Sequence, residues 1–153
     1  MNKENNTEKL YKYNEAISVL MEPDFNNSDS QNFPQKTETY QIIGACMEVH
    51  NELGRGFHEI VYKDALEVEF KLQEIPYVRE KPFNVLYKGF NLDRNYNADF
   101  CVFGNIILEI KADQADLDTH ADQILNYLAV SKCKIALFVN FGNDKLIFKR
   151  VIL

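Results

Sequence analysis

Two carboxylates and one ammonium stand within a short stretch, Asn97-Ala98-Asp99-Phe100-Cys101-Val102-Phe103-Gly104-Asn105-Ile106-Ile107-Leu108-Glu109-Ile110-Lys111. Apolar and other residues alternate on each side of Gly104-Asn105, the pattern of two β-strands around a turn. Ala98, Phe100 and Val102 fall on one face of the first strand, and Ile106, Leu108 and Ile110 on one face of the second. Register decides the chemistry. A two-residue turn sets Asp99 against Ile110 and Phe100 against Glu109, mixing charged and apolar groups on both faces. A three-residue loop, Phe103 to Asn105, sets Asp99 against Glu109 and Asn97 against Lys111, and gathers all six apolar residues on the other face. A slip of one residue turns every side chain to the wrong side, so burial selects the three-residue loop. Gly104 or Asn105 is expected to take the positive φ that such a loop needs. Two acids held together repel, and a divalent cation relieves them; an all-oxygen donor set suits Mg²⁺ or Mn²⁺. Charged strand faces are also ordinarily just solvated or ion-paired, and the hairpin by itself fits either reading.

The elements that must position this hairpin follow from periodicity. Ile42, Cys46, Val49 and Leu53 recur at helical spacing, with Thr37 or Thr39 as a cap. Gly54-Arg55-Gly56 breaks that helix. A second helix is expected over 58–73, with Val61, Ala65, Val68 and Leu72 as its apolar stripe and Glu59 one turn from Tyr62. Tyr77 to Phe90 reads as a strand pair broken at Lys81-Pro82 and Lys88-Gly89. After the hairpin and a charged loop, a helix from Asp118 or Thr119 to Ser131 places His120, Gln123 and Tyr127 on one face. The apolar run Ile135-Ala136-Leu137-Phe138-Val139 reads as a strand covered on both sides, and Lys145 to Leu153 as a last strand. The order α, α, β, β, β, β, α, β, β describes an α/β sandwich with a mixed sheet.

Composition narrows the setting. At 153 residues, 46% hydrophobic and 26% charged, the chain suits one domain with a proper core. No apolar run approaches membrane-spanning length. The opening Met-Asn-Lys-Glu-Asn-Asn-Thr-Glu lacks the apolar stretch of a secretory signal. Cys46, Cys101 and Cys133 are odd in number and far apart along the chain, which points to free buried thiols in a reducing, cytoplasmic setting. The net charge of −6, from 17 Lys+Arg against 23 Asp+Glu, counts against a broad nucleic-acid face but not against a local basic groove. Residues 1–36 read as an appendage, with a short helix over 7–21 and a polar linker, Asn26 to Asn32; residues 37–153 read as the domain.

With these residues in view, the chain resembles a known family. Gly56-Phe57-His58-Glu59-Ile60-Val61-Tyr62 fits the signature of the GxxExxY proteins. Val49-His50-Asn51-Glu52-Leu53-Gly54, Tyr96-Asn97-Ala98-Asp99, Glu109-Ile110-Lys111, Gln123-Ile124-Leu125-Asn126-Tyr127 and Asn140-Phe141-Gly142 resemble that family's other blocks in order. The family sits within the PD-(D/E)XK nuclease-like superfamily. The resemblance implies a restriction-endonuclease-like αβββαβ core, with a mixed central sheet flanked by helices, and phosphodiester hydrolysis on DNA or RNA. It implies that Asp99 is the motif's first acid and that Glu109 and Lys111 belong to its (D/E)XK triplet; Ala98 stands where the motif has proline. It implies Glu59 as a further acid on the first core helix, and Gln123 and Tyr127 as a helix motif at the site.

On that resemblance Asp99, Glu109, the Ile110 carbonyl and Glu59 are the metal ligands, for Mg²⁺ or Mn²⁺. Lys111, Gln123 and Tyr127 act with Asp99 and Glu109 on the scissile phosphate or the attacking water. Arg79, Lys81 and Lys88 are contacts for a nucleic-acid backbone if they are not merely solvated. Tyr62 is expected to pack on the hairpin or bond Glu59, and His50 and His58 to cap or pack. The competing reading is a non-catalytic nuclease-fold protein that binds nucleic acid or a protein partner, with docking through residues 1–36 or as a homodimer.

Overall fold

The computed structural model describes residues 35–114 and 120–152. The expected helix over 7–21, the linker after it and the helix cap at Asp118 or Thr119 lie outside the described residues. Within them run α1 (Lys36–Leu53), α2 (Glu59–Leu72), β1 (Tyr77–Tyr87), β2 (Phe90–Val102), β3 (Ile106–Lys111), α3 (Ala121–Ser131), β4 (Ile135–Asn140) and β5 (Ile147–Ile152). The five strands form one sheet in sequence order. Every neighbouring pair is antiparallel except β3 and β4, which run parallel. A parallel neighbour needs a crossover, and α3 supplies it.

Two apolar layers hold this sheet. On one face Ile42, Cys46 and Val49 of α1 and Tyr62, Leu66 and Phe70 of α2 pack on Phe100, Val102, Ile106, Leu108 and Ile110. On the other, Ile124, Tyr127 and Leu128 of α3 pack on Cys101, Ile107, Ala136 and Phe138. β4 is buried on both faces along its whole length, as its unbroken apolar run requires. Each fully buried Leu, Ile or Phe here stabilises the fold by about 1.5–3 kcal/mol.

Several local expectations change. Three strands precede α3, not four, because β1 runs straight through Lys81-Pro82. β1 is an edge strand, where a residue lacking an N–H costs no ladder bond. α1 starts at Lys36 after Gln35 with no side-chain cap, so Thr37 and Thr39 lie inside the helix and Thr39 is buried. The buried stripe of α2 is Tyr62, Leu66 and Phe70, with Lys63 beside it; Val68 and Leu72 are exposed. β5 starts at Ile147 rather than Lys145. The cysteines are free, but two of them meet: the Cys133 thiol is hydrogen-bonded to Cys101, which lowers the pKa of Cys133.

The hairpin has the expected register, with Phe100 against Leu108, Cys101 against Ile107 and Val102 against Ile106. The loop is Phe103 to Asn105, but Phe103 (φ 52°) and Gly104 (φ 79°) take the left-handed positions, not Asn105. Phe103 is held there because its N–H donates to the Pro76 carbonyl at 2.9 Å while its ring packs on the first core layer.

Candidate active site

β2 and β3 stop pairing just before the two acids. Phe100 against Leu108 is the last pair of their ladder, so the expected pairing of Asn97 with Lys111 does not form. At the fork the carboxylates replace the ladder. The Asp99 N–H donates to Glu109 Oε1 at 3.1 Å, and the Ile110 N–H donates to Asp99 Oδ2 at 2.8 Å. Each acid thereby satisfies a backbone donor of the opposite strand that burial would otherwise leave unpaired. Opposite Asp99 on the other side, Glu80 of β1 adopts φ 52° between the pairs Arg79–Phe100 and Lys81–Ala98. Around this irregularity Ala98 packs in the α3 layer with Phe83 and Tyr96, away from the other five apolar residues of the hairpin. Asp99 in turn meets α2. The acids therefore sit in the fork of the sheet, between both helical layers, rather than on one flat hairpin face.

The group that Asp99 meets is Lys63. Its ammonium lies 2.5 Å from Asp99 Oδ1, 2.9 Å from Glu59 Oε1 and 4.0 Å from Glu80 Oε1. Burial works against this charge, but the hydrogen bonds to Asp99 and Glu59 outweigh it and raise the Lys63 pKa. Lys63 is a site residue that the motifs do not point to. One signal for it is present in the sequence: Glu59 and Lys63 are four apart with the acid N-terminal, the favoured order for a helical ion pair. Placing the α2 stripe one position away, on Val61 and Ala65, turns Lys63 to solvent.

Glu109 is 3% exposed and Asp99 7%. Burial, and after it the charge of Asp99, pushes the Glu109 carboxyl up to about 8, with Lys111 and Lys63 opposing the shift. Two adjacent buried acids resist ionising together. From the α3 layer the Tyr127 hydroxyl donates to the Asn97 carbonyl at 2.9 Å, and Gln123 Nε2 donates to the Tyr127 oxygen at 3.4 Å. Burial pushes the Tyr127 phenol up to about 12, with the charge of Glu109 next in effect. Of the expected site residues, Asp99 and Glu109 meet directly, Glu59 reaches Asp99 through Lys63, Lys111 and Tyr127 lie within range of the Glu109 charge, and Gln123 bonds Tyr127.

The remaining expectations resolve one by one. Tyr62 packs in the core layer over the hairpin rather than bonding Glu59; its hydroxyl donates to the Gly54 carbonyl at 2.7 Å and its ring stacks on Phe141 at 4.5 Å. His50 bonds the Asn143 carbonyl through Nε2 at 3.0 Å, a packing role. His120 stacks on Phe138 at 5.6 Å. Arg79 is held by Asp64 and Glu67, each at 2.7 Å. Lys81 lies against Cys101 and the Phe83 ring. Lys88 remains at the exposed β1–β2 tip, over Tyr87. Beside Glu59 opens a cleft of about 550 Å³, lined by Arg55, Phe57, His58, Glu59, Asp113 and Gln114 among others.

As placed, the acids suit an ammonium. Among the described residues no three His, Cys, Asp or Glu side chains stand close enough together to hold a metal ion. The donor chemistry nonetheless fits a hard divalent cation, because the groups facing the Lys63 ammonium are all carboxylates.

Comparison with known proteins places the chain. A family model described as the PD-(D/E)XK nuclease superfamily matches residues 36–151. The chain belongs to that superfamily, and its mixed five-stranded sheet flanked by helices is the corresponding restriction-endonuclease-like fold. Among solved structures the chain is similar to one titled "Crystal structure of SSO0001", at 12% identity and a TM-score of 0.43, over 94% of this chain and 76% of that one. No curated protein matches the sequence. No helix among the described residues is long and apolar enough to cross a membrane.

Proposed function

We propose that this chain is a metal-dependent nuclease of the GxxExxY type, hydrolysing phosphodiester bonds of DNA or RNA. The observation that carries the reading is the fork itself. Two nearly buried carboxylates, Asp99 and Glu109, close the β2–β3 ladder, with Lys111 two residues on, in a chain of the PD-(D/E)XK nuclease superfamily. Burying two acids side by side costs free energy that a merely structural hairpin has no reason to spend.

In this reading Asp99 and Glu109 hold Mg²⁺ or Mn²⁺, with the Ile110 carbonyl and Glu59 completing the donor set. The bound ion would lower the pKa of a water and offset charge on the phosphate. Lys111 stabilises the developing phosphorane charge or holds the attacking water. Tyr127, fixed by Asn97 and Gln123 and within range of the Glu109 charge, fixes the position of the phosphate or water. The cleft beside Glu59 receives the nucleic acid, and the exposed Lys88 contacts its backbone. Residues 37–153 form the catalytic domain, and residues 1–36 dock a partner or a second copy; a cytoplasmic location is consistent with the free thiols.

One observation favours the non-catalytic alternative. Lys63 already pairs with both Asp99 and Glu59, so a cation faces these acids without a metal. Incubating the full chain with labelled single- and double-stranded DNA and RNA in Mg²⁺ or Mn²⁺ separates the readings. A nuclease cleaves at least one substrate, and Asp99→Ala and Glu109→Ala each lower the rate by about a hundred- to a thousandfold, the scale of losing a principal transition-state interaction. Binding without cleavage in every case, unchanged by either substitution, establishes the alternative.

A further inference from the structure

The ammonium of Lys63 occupies the place where a cation is needed. It arrives from α2, four residues after Glu59, and reaches Asp99 across the layer between helix and sheet. Its side chain is 11% exposed, against 10% for Asp99. Glu80 of β1 completes a third side at 4.0 Å, from a residue held in the left-handed region. Glu109 is close enough for the lysine charge to act on it. Lys63 thus faces acids from α2, β1 and β2, with the Glu109 carboxyl of β3 within range of its charge, a cage no ordinary surface ion pair has.

Such a cage has a consequence for any second cation. A divalent ion at Asp99 and Glu59 would stand within a few ångströms of the ammonium. Two cations at that separation in a poorly solvated place repel strongly. The two therefore exclude each other. The lysine stem is flexible, and Glu59 is 37% exposed, so solvent adjoins the cage on the α2 side and gives the ammonium somewhere to go.

We propose that Lys63 is a resident cation of the site: it holds Asp99, Glu59 and Glu80 together in the metal-free protein and must withdraw before a divalent ion binds, so that it sets the metal affinity of the chain. The inference rests on the metal-dependent reading above. Lys63 acts as a positioning residue and does not touch the substrate. Exchange of one cation for another leaves the acids paired in both end states, and it makes the chain a weak, concentration-sensing metal binder. In this state the protein is folded and inactive until the divalent ion, with or without the phosphates of a substrate, outcompetes the lysine.

The test is titration of Mn²⁺ into the full chain by calorimetry, with thermal melting of the same samples in chelator and in Mn²⁺. Three proteins are compared with wild type: Lys63→Met, Lys63→Arg and Asp99→Ala. The expected result is that Lys63→Met binds Mn²⁺ about tenfold tighter or more, since the competing charge is gone. Its melting temperature falls in chelator, where the acids lose their partner, and recovers in Mn²⁺. Lys63→Arg keeps the weak affinity of wild type, and Asp99→Ala abolishes binding. Should Lys63→Met not fold in chelator, the lysine ammonium signal of the wild-type protein in ¹⁵N spectra serves instead. That signal is protected from exchange in chelator and loses protection as diamagnetic Mg²⁺ saturates the site. Binding to wild type that Lys63→Met fails to tighten, or Mg²⁺ binding that leaves the lysine signal protected, overturns the inference alone. Absence of binding to wild type and Lys63→Met alike, with nucleic acid present or absent, overturns it together with the metal-dependent reading.

Discussion

Glu109 is the residue at which the cost of the site is concentrated. Its carboxyl is nearly buried, and it accepts a hydrogen bond from the Asp99 N–H. The ordinary carboxyl value is 4.5, and in the folded chain it rises to about 8, by burial first and the Asp99 charge second. The direction of the stability effect follows. Below the ordinary value both the folded and the unfolded chain hold the proton. Between the two values the folded protein keeps a proton that the unfolded chain has released, so raising the pH through this window lowers stability. Glu109→Gln carries a neutral group of the same shape and removes the effect. Melting curves at several pH values between about 5 and 8 should therefore show Glu109→Gln gaining on wild type as pH rises, while the two are nearly equal at the acid end. The Cys133 thiol, with its lowered pKa, titrates in both proteins and cancels from the difference. A constant difference across the window would mean that Glu109 is ionised in the folded chain throughout. The same residue explains why a divalent ion is expected to bind better as pH rises, because binding must release the Glu109 proton.

At the scale of elements, the fork is built by a close approach at its far end as well as by the two acids. The parallel β3–β4 pairing runs from Ile106–Ile135 to Lys111–Asn140. It is extended by the Phe141 N–H, which donates to the Lys111 carbonyl at 2.8 Å. The next residue, Gly142, donates its N–H to the Asn140 side chain at 2.9 Å, and its backbone is so near Ala112 and Asp113 that a Cβ would overlap the Asp113 carbonyl. Only glycine fits there. Gly142→Ala must push Ala112-Asp113 outward, and with it the end of β3 that carries Lys111. It should cost about 1–3 kcal/mol, as overpacking does, read as a lower denaturant midpoint with an unchanged slope; full wild-type stability would show that the segment moves freely. The legibility of these elements in sequence follows the same physics. The hairpin register is readable because period-two alternation leaves one answer that buries six apolar side chains, and β4 because an unbroken apolar run has few other fates. The stripe of α2 is not, because Ile60, Val61, Ala65, Leu66, Val68, Phe70 and Leu72 surround much of the helix, and periodicity cannot choose between adjacent faces. That ambiguity hides Lys63. The fork is hidden too, since nothing in the alternation of β2 marks where the ladder ends or where Glu80 turns left-handed. The meeting of Cys101 with Cys133 depends on how α3 returns to the sheet, which no local pattern encodes.

At the scale of the whole molecule, the sheet does more than carry the fork. Beyond the pair Asn84–Asn95 the β1–β2 hairpin leaves the layers behind. Every residue from Asn84 to Asn95 is exposed except Val85, and a register shift between Asn84 and Leu86 separates this outer half from the inner one. Leu86, Tyr87 and Phe90 are 60–75% exposed, and Lys88 and Arg94 stand among them. A lone two-stranded ribbon is marginal in water, and one that adds nothing to either core layer is not explained by stability. The net charge of −6 makes its position informative, because the acids cluster at the fork and along α2 while the ribbon carries two cations against Asp93. In the nuclease reading the ribbon lies along the substrate, its cations on phosphates and its aromatic tip against bases. Replacing 85–94 with a short Asn-Gly turn separates this from a structural role. The melting temperature should stay within a few degrees, and Mn²⁺ binding should be unaffected, since the fork begins at Asp99. Affinity for nucleic acid should fall, and the dependence of log affinity on log salt should flatten by about 2 units, one for each phosphate that the ribbon no longer neutralises. Measured by fluorescence anisotropy across a salt series, an unchanged slope would free the ribbon from any part in nucleic-acid binding. The cleft beside Glu59 would then be left as the whole of the substrate path.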